Sequence, residues 1–265
     1  LKVWTVLVDV VQENLQFGFV AEPIGTHISR TIMLADLRLL LSSCHLTADI
    51  ATYRQAVIEE NVLHKRTVST RRLSFKRLRE LYILDKSILL FRALRDLWEY
   101  EPDAQPMLAL LCAVARDPLL RSTVDTVTNL DRNSEITPQI FSAVVAKTFP
   151  DRYSEWSLAS AGRNIASSWQ QSGHLRGKLR KYRDQASCHS ASVTYALLLG
   201  YISDARGEGL FETPWCILLD TPMHIIREKA AVAARQGWLE YRQTGGVTDV
   251  SFRYLLRENG VNGYE

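Results

Sequence analysis

The sequence predicts a mainly α fold: a helical N-terminal domain followed by winged-helix-like units with short β-hairpins. Three observations carry that prediction. Apolar residues recur at helical spacing, as at Ile32, Leu34, Leu37, Leu40 and Leu41. No alternating run marks a strand in the first half of the chain. Two later stretches place a glycine after a helix and an alternating segment after the glycine, the order of a winged helix. The two stretches share this pattern without sharing sequence.

Gly25, after Pro23, closes the opening segment, and the helical pattern begins at Ile28. Thr47 reads as the N-cap of a helix over Ala48–Asn61. A short basic connection, Val62–Val68, leads to a helix capped by Ser69 and running to Leu84. Helices over Lys86–Tyr100 and Gln105–Arg116 follow, the first ended by Pro102. Asp117-Pro118 is an N-cap with an N1 proline. Asn129–Ser134 is polar and turn-forming and marks a domain boundary.

Thr137-Pro138 opens a helix to Phe149, broken by Pro150-Asp151. The next helix, Ser157–Gln171, ends at Gly173, and His174–Arg183 around Gly177 suits a hairpin. A helix begins at Ser190 or Ser192 and runs to Ile202. After a loop, Asp204–Gly209, Leu210–Leu219 reads as helical with an interruption at Pro214. Thr221-Pro222 opens a helix to Gln236, with Gly237 beyond it. Trp238–Arg242 and Val247–Phe252 then flank Thr244-Gly245-Gly246 as a second hairpin. The expected organisation is an N-terminal segment at 1–27 that the sequence pattern assigns to no domain, an all-helical domain with a basic helix-turn-helix-like unit at 28–130, and winged-helix-like units at 131–190 and 191–265.

With 265 residues, 46% of them hydrophobic, the chain can build a core without disulfide or metal staples. Its formal net charge of +3 says little, because the distribution of charge matters more than the sum. Cys44, Cys112, Cys188 and Cys216 make no CxxC pair, which excludes a zinc finger and argues for reduced, mostly buried thiols. The run Val3–Val11 contains Thr5 and Asp9, falls short of a membrane span and lacks a basic flank and a cleavage site. A cytoplasmic protein with no membrane partner is expected.

The sharpest feature is the basic segment Lys65–Arg79, with Lys65, Arg66, Arg71, Arg72, Lys76, Arg77 and Arg79. Arg72, Lys76 and Arg79 fall on one helical stripe, and Leu73, Leu78, Leu81 and Tyr82 on the other side. A cationic strip of this kind suits a phosphate backbone; the plain alternative is a solvated face with snorkelling arginines. In the helix before the first hairpin, Leu158, Gly162, Ile165 and Trp169 form the packing stripe. Ser160, Arg163, Asn164, Ser167 and Gln171 form an outer face fit to read a groove, with Arg176, Lys178, Arg180, Lys181 and Arg183 as a basic wing. The C-terminal unit carries His224, Arg227, Lys229 and Arg235 on its helix but an almost uncharged wing, which favours protein contact.

Catalytic patterns are weak. His27, His45, His64, His174, His189 and His224 make no ligand-spaced pair, and no phosphate loop, dinucleotide fingerprint or nucleophile elbow is present. No enzyme activity, metal or cofactor is expected.

Glu59-Glu60-Asn61-Val62-Leu63, followed by Lys65-Arg66, Ser69-Thr70 and Arg71-Arg72, resembles the BrxA family of bacterial BREX phage-exclusion systems. Ala109–Asp117 and Tyr195–Tyr201 are similar to that family too, and the resemblance spans about residues 30 to 256. It implies a small non-enzymatic protein of a phage-defence island, in a family likened to RNA-binding antitermination factors and also compatible with DNA binding. Together with the basic helix, the expected function is nucleic-acid binding, duplex DNA first, with other defence subunits as further partners. An RNA-binding, antitermination-like role and a pure docking scaffold are the alternatives. The residues expected to touch nucleic acid are Lys65, Arg66, Arg71, Arg72, Lys76, Arg79, Arg163, Asn164, Lys178 and Arg180.

Overall fold

A computed structural model describes residues 3–257. The last eight positions of the expected C-terminal unit, 258–265, lie outside the described residues. The fold is mainly α with two small antiparallel sheets.

Two helices that are apolar all round lie at its centre, as burial on every side requires. In α7 (Gln105–Arg116) the nine residues Met107–Ala115 are all buried, and in α12 (Ser190–Ile202) every residue but Tyr201 is. The remaining elements wrap this pair. They are α1 (Val3–Glu13), α2 (Thr26–Ser29), α3 (Leu34–Ser43), α4 (Ile50–Ile58), α5 (Val68–Tyr82) and α6 (Leu89–Trp98) before α7. The short α8 (Pro118–Arg121) and α9 (Val124–Thr128), then α10 (Pro138–Thr148) and α11 (Glu155–Gln171), come between the two central helices in the sequence. After α12 come α13 (Pro214–Ile217), α14 (Met223–Arg235) and α15 (Arg253–Leu256).

The opening segment does not stand apart. Leu7 and Val11 of α1 are buried against α9 and α13, and Phe19 meets Trp215 edge to face. The charge pattern of 1–27 hides this, because the burial is contributed by partners more than 100 positions away.

Several caps differ from the sequence-based expectation. The first residue whose oxygen reaches the amide three positions on decides each one. Asp49, not Thr47, caps α4, with Oδ1 accepting from Thr52 N at 2.8 Å. Thr67, not Ser69, caps α5, accepting from Thr70 N at 3.1 Å. Before α14 the Thr221 hydroxyl turns away to the Leu219 carbonyl, and the helix begins after Pro222. Asp117-Pro118 does act as N-cap and N1 proline of α8. The expected helix at Leu210–Leu219 is a 3-10 turn, Gly207–Glu212, followed by α13.

Both hairpins form where they are expected. Strands β2 (Leu175–Arg176) and β3 (Lys181–Arg183) pair around Gly177, and β4 (Glu240–Thr244) pairs with β5 (Val247–Ser251) around Gly245-Gly246. A further strand, β1 (Glu135–Ile136), joins the first hairpin with Glu135 opposite Tyr182, so the sheet order is β1-β3-β2. Two residues are too few for a period of two to show in sequence. Gly177 is required at the hairpin tip: its φ is +97°, and a Cβ there would overlap the Arg180 carbonyl oxygen.

All four cysteines are free thiols, three of them buried and Cys188 half-buried. Among the described residues no helix is long and apolar enough to cross a membrane.

Candidate nucleic-acid interface

On α5 the apolar side seats Leu78, Leu81 and Tyr82 in the core. Leu73, expected beside them, remains 37% exposed, because its stripe diverges from the side that packs on α7. Arg72, Lys76 and Arg79 project outward, and Arg66 is exposed in the preceding turn. Arg72 and Arg79 have no acid partner among the described residues, while Lys76 Nζ lies 4.0 Å from Glu80 Oε1. Glu80 is already engaged: it accepts from Arg77 Nη1 and from Thr26 Oγ1, each at 2.7 Å.

Arg71 and Lys65, like Arg77, are held by the protein itself. Arg71 donates from Nη1 to the Ile58 carbonyl at 3.1 Å, closing the end of α4. Lys65 Nζ pairs with Asp36 Oδ1 at 2.8 Å. Arg71 is therefore tied into the fold, unlike its solvent-facing neighbour Arg72.

α11 divides into three faces. Gly162, Ile165 and Trp169 of the expected packing stripe are buried, Leu158 is half-buried, and Ala161 is buried beside them. Part of the expected outer face is covered by the segment around α2 and α3. Ser160 Oγ donates to the Ile28 carbonyl at 2.8 Å and Asn164 Nδ2 to the His27 carbonyl at 2.9 Å. Gln171 Oε1 accepts from Leu34 N at 3.1 Å. The Asn164 amide is thus tied to a carbonyl of the opening segment, 137 positions away. Trp156 (73% exposed), Ala159 and Arg163 remain open to solvent.

The hairpin carries Arg176, Lys178 and Arg180 in solvent, with Leu179 at the tip 99% exposed between two cations. Arg176 stacks over the Tyr182 ring at 5.4 Å and lies 3.7 Å from Asp184. Arg180 is 4.0 Å from Glu135. The other two wing cations turn inward: Lys181 Nζ is held by Gln170 Oε1, and buried Arg183 forks onto Asp220 at 2.6 and 2.9 Å. They anchor the hairpin rather than face a ligand. In the C-terminal unit Arg227 is paired with Glu208 and lies over the Phe211 ring at 5.4 Å.

One constellation leaves no trace in the sequence pattern. His27 Nδ1 lies 2.7 Å from Asp117 Oδ2, and His27 Nε2 lies 2.9 Å from Ser168 Oγ. The partners are 90 and 141 positions away, so no spacing could reveal them. This has the connectivity of a nucleophile, base and acid, but all three residues are 0% exposed. Ser168 Oγ is also occupied by the Ile32 amide at 3.0 Å and the Asn164 carbonyl at 2.8 Å. The group binds the α2 segment to α8 and α11. Burial alone would raise the Asp117 carboxyl, but His27 and the Leu119 and His27 amides together hold it below its ordinary value. Among the described residues no group of three or more His, Cys, Asp and Glu is placed to hold a metal ion.

No family model matches the chain, and no curated protein does. Among solved structures, the magnesium ion-bound SspB crystal structure is similar over 89% of this chain and 82% of that chain, at 13% identity and a TM-score of 0.43. At that score the likeness carries no further argument.

Proposed function

We propose that this chain is a non-enzymatic, cytoplasmic nucleic-acid-binding protein that takes duplex DNA as an accessory component of a phage-defence system of the BREX kind. The observation that supports this reading best is the outer face of α5, where Arg72, Lys76 and Arg79 stand in solvent at helical spacing and Arg72 and Arg79 have no acid partner among the described residues. A line of this kind matches phosphates along a backbone, and each cation engaged releases counterions. Arg66, Arg163, Lys178 and Arg180 are the second group of cations facing the duplex, with the β2–β3 hairpin acting as the wing of a winged-helix-like unit. Lys65 contributes through its ion pair at the edge of the same segment.

The test is duplex binding measured over a salt series. Replacing Arg72, Lys76 and Arg79 together by alanine is expected to flatten the log affinity–log salt slope by about 0.9 for each phosphate that is no longer neutralised. An unchanged affinity and slope would remove α5 from the interface. Structured RNA competing better than duplex DNA at one salt concentration would favour the antitermination-like reading.

A docking role has its own support. Trp156 is 73% exposed and Ile140 43%, on neighbouring helices α10 and α11, and large apolar side chains in solvent suit a protein partner such as another defence subunit.

A further inference from the structure

We propose that the cavity between the start of α3 and the first half of α5 is a phosphate-binding site. It encloses about 330 Å³ and is lined by Arg30, Thr31, Lys65, Thr70, Ser74 and Gln171 around the Met33–Asp36 turn.

The first observation is the open end of a ten-residue helix. Met33 takes the N-cap position of α3 in the left-handed region (φ 51°) and supplies no side-chain cap. Leu34 N is taken by Gln171 Oε1, and Leu37 N returns to the Met33 carbonyl at 2.9 Å. The amides of Ala35 and Asp36 have no acceptor among the described residues. Unsealed first-turn amides and the positive end of the helix dipole together favour an anion.

A second observation is independent of the helix end. Ser74, on the α5 wall of the cavity, is 1% exposed, and its Oγ has no hydrogen-bond partner. Buried hydroxyls are nearly always satisfied, and a phosphate oxygen against the α5 wall would supply the acceptor this one lacks.

The charges agree. Arg30 and Lys65 face one acid, Asp36, and Lys65 Nζ lies 2.8 Å from it. That pairing offsets the Asp36 carboxylate, which stands in the first turn of α3, and leaves Arg30 to the ligand. Arg30 spends one nitrogen on the Ser29 carbonyl at 2.9 Å and keeps the rest. Thr31 Oγ1 accepts from Met33 N at 3.1 Å and keeps its own proton to donate. Donors thus outnumber acceptors and approach from several sides. A tetrahedral oxyanion with several acceptor oxygens answers that arrangement better than a planar carboxylate.

The ligand is a phosphate, either free or as an ester in a nucleotide or a nucleic-acid backbone. The site goes beyond the duplex-binding reading. Thr70 and Ser74 lie one turn apart on one side of α5, whereas Arg72, Lys76 and Arg79 lie on the other.

The test uses the full chain and inorganic phosphate, compared with chloride at equal ionic strength, followed by calorimetric titration, phosphorus NMR and thermal unfolding. Saturable 1:1 binding that raises Tm is expected. Ser74→Ala should keep or raise Tm in phosphate-free buffer, since it removes an unsatisfied hydroxyl, while weakening phosphate binding by roughly tenfold. Arg30→Met should weaken it by roughly tenfold or more. Absence of saturable phosphate binding to the unaltered chain, or variants that bind as tightly as it does, overturns the site. A short duplex that displaces phosphate assigns the site to backbone phosphate; binding that persists beside the duplex assigns it to free phosphate. Failure of the chain to bind duplex while it still binds phosphate would sink the duplex-binding proposal and leave this site standing.

Discussion

Arg71 and Arg72 are neighbours on α5 that face different media. Arg71 is half-buried with its guanidinium on the Ile58 carbonyl, and Arg72 is in solvent. Arg71→Ala should therefore cost about 1–3 kcal/mol in denaturant unfolding and leave the salt slope of duplex binding unchanged. A single-residue change at Arg72 should do the reverse. The sequence shows both as cations on a basic helix. It cannot sort them, because the acceptor that claims Arg71 is a carbonyl, and carbonyls leave no mark in sequence. His174 makes the same point with pH. Burial pushes its imidazole down to about 4, against partial opposition from Asp220, and Nε2 donates to the Leu218 carbonyl at 3.0 Å. The unfolded chain binds this proton near pH 6.5 and the folded chain only near 4. Stability from His174 is thus complete above about pH 6.5 and is lost as pH falls toward about 4. Unfolding midpoints measured across that window should fall, and His174→Gln should flatten the fall.

Among the elements, α11 illustrates how much a periodicity can and cannot say. Its buried stripe is legible in the sequence, since Ile165 and Trp169 repeat at helical spacing and are 0% exposed. Its polar side is legible only as polar. Three of its five residues, Ser160, Asn164 and Gln171, bond the chain around α2 and α3, a division that depends on which segment arrives there. Gly162 marks where α10 crosses α11 with the backbones nearly touching: a Cβ at that position would overlap the Pro138 carbonyl and the Ser142 hydroxyl. Gly162→Ala should cost about 3 kcal/mol, read by chemical denaturation, because backbone on the facing helix cannot yield as a side chain can. The hairpins are readable from their glycines, whereas the two-residue β1 leaves no pattern to read. Caps shift by two residues wherever two candidate side chains stand close together, as at Thr47 and Asp49.

At the scale of the whole molecule, polar ties run between all the expected units. His27 meets Asp117 and Ser168, Arg183 of the first hairpin meets Asp220, and Glu101 caps α12 by accepting from Ala191 N at 2.7 Å. We expect one cooperative unfolding transition for the chain, with circular dichroism and tryptophan fluorescence reporting the same midpoint; separated transitions would mark independent domains. Asp117→Ala should cost about 3–5 kcal/mol, because it strips a fully buried imidazole of its partner. The hairpin tip has a consequence of a different kind. An apolar side chain as exposed as Leu179 invites self-association, yet Lys178 and Arg180 flank it on both sides. Two copies cannot bring their tips together without crowding four like charges, so the cations act as gatekeepers against the chain's own kind. A polyanion meets no such barrier: the same pair that repels a second copy draws it in.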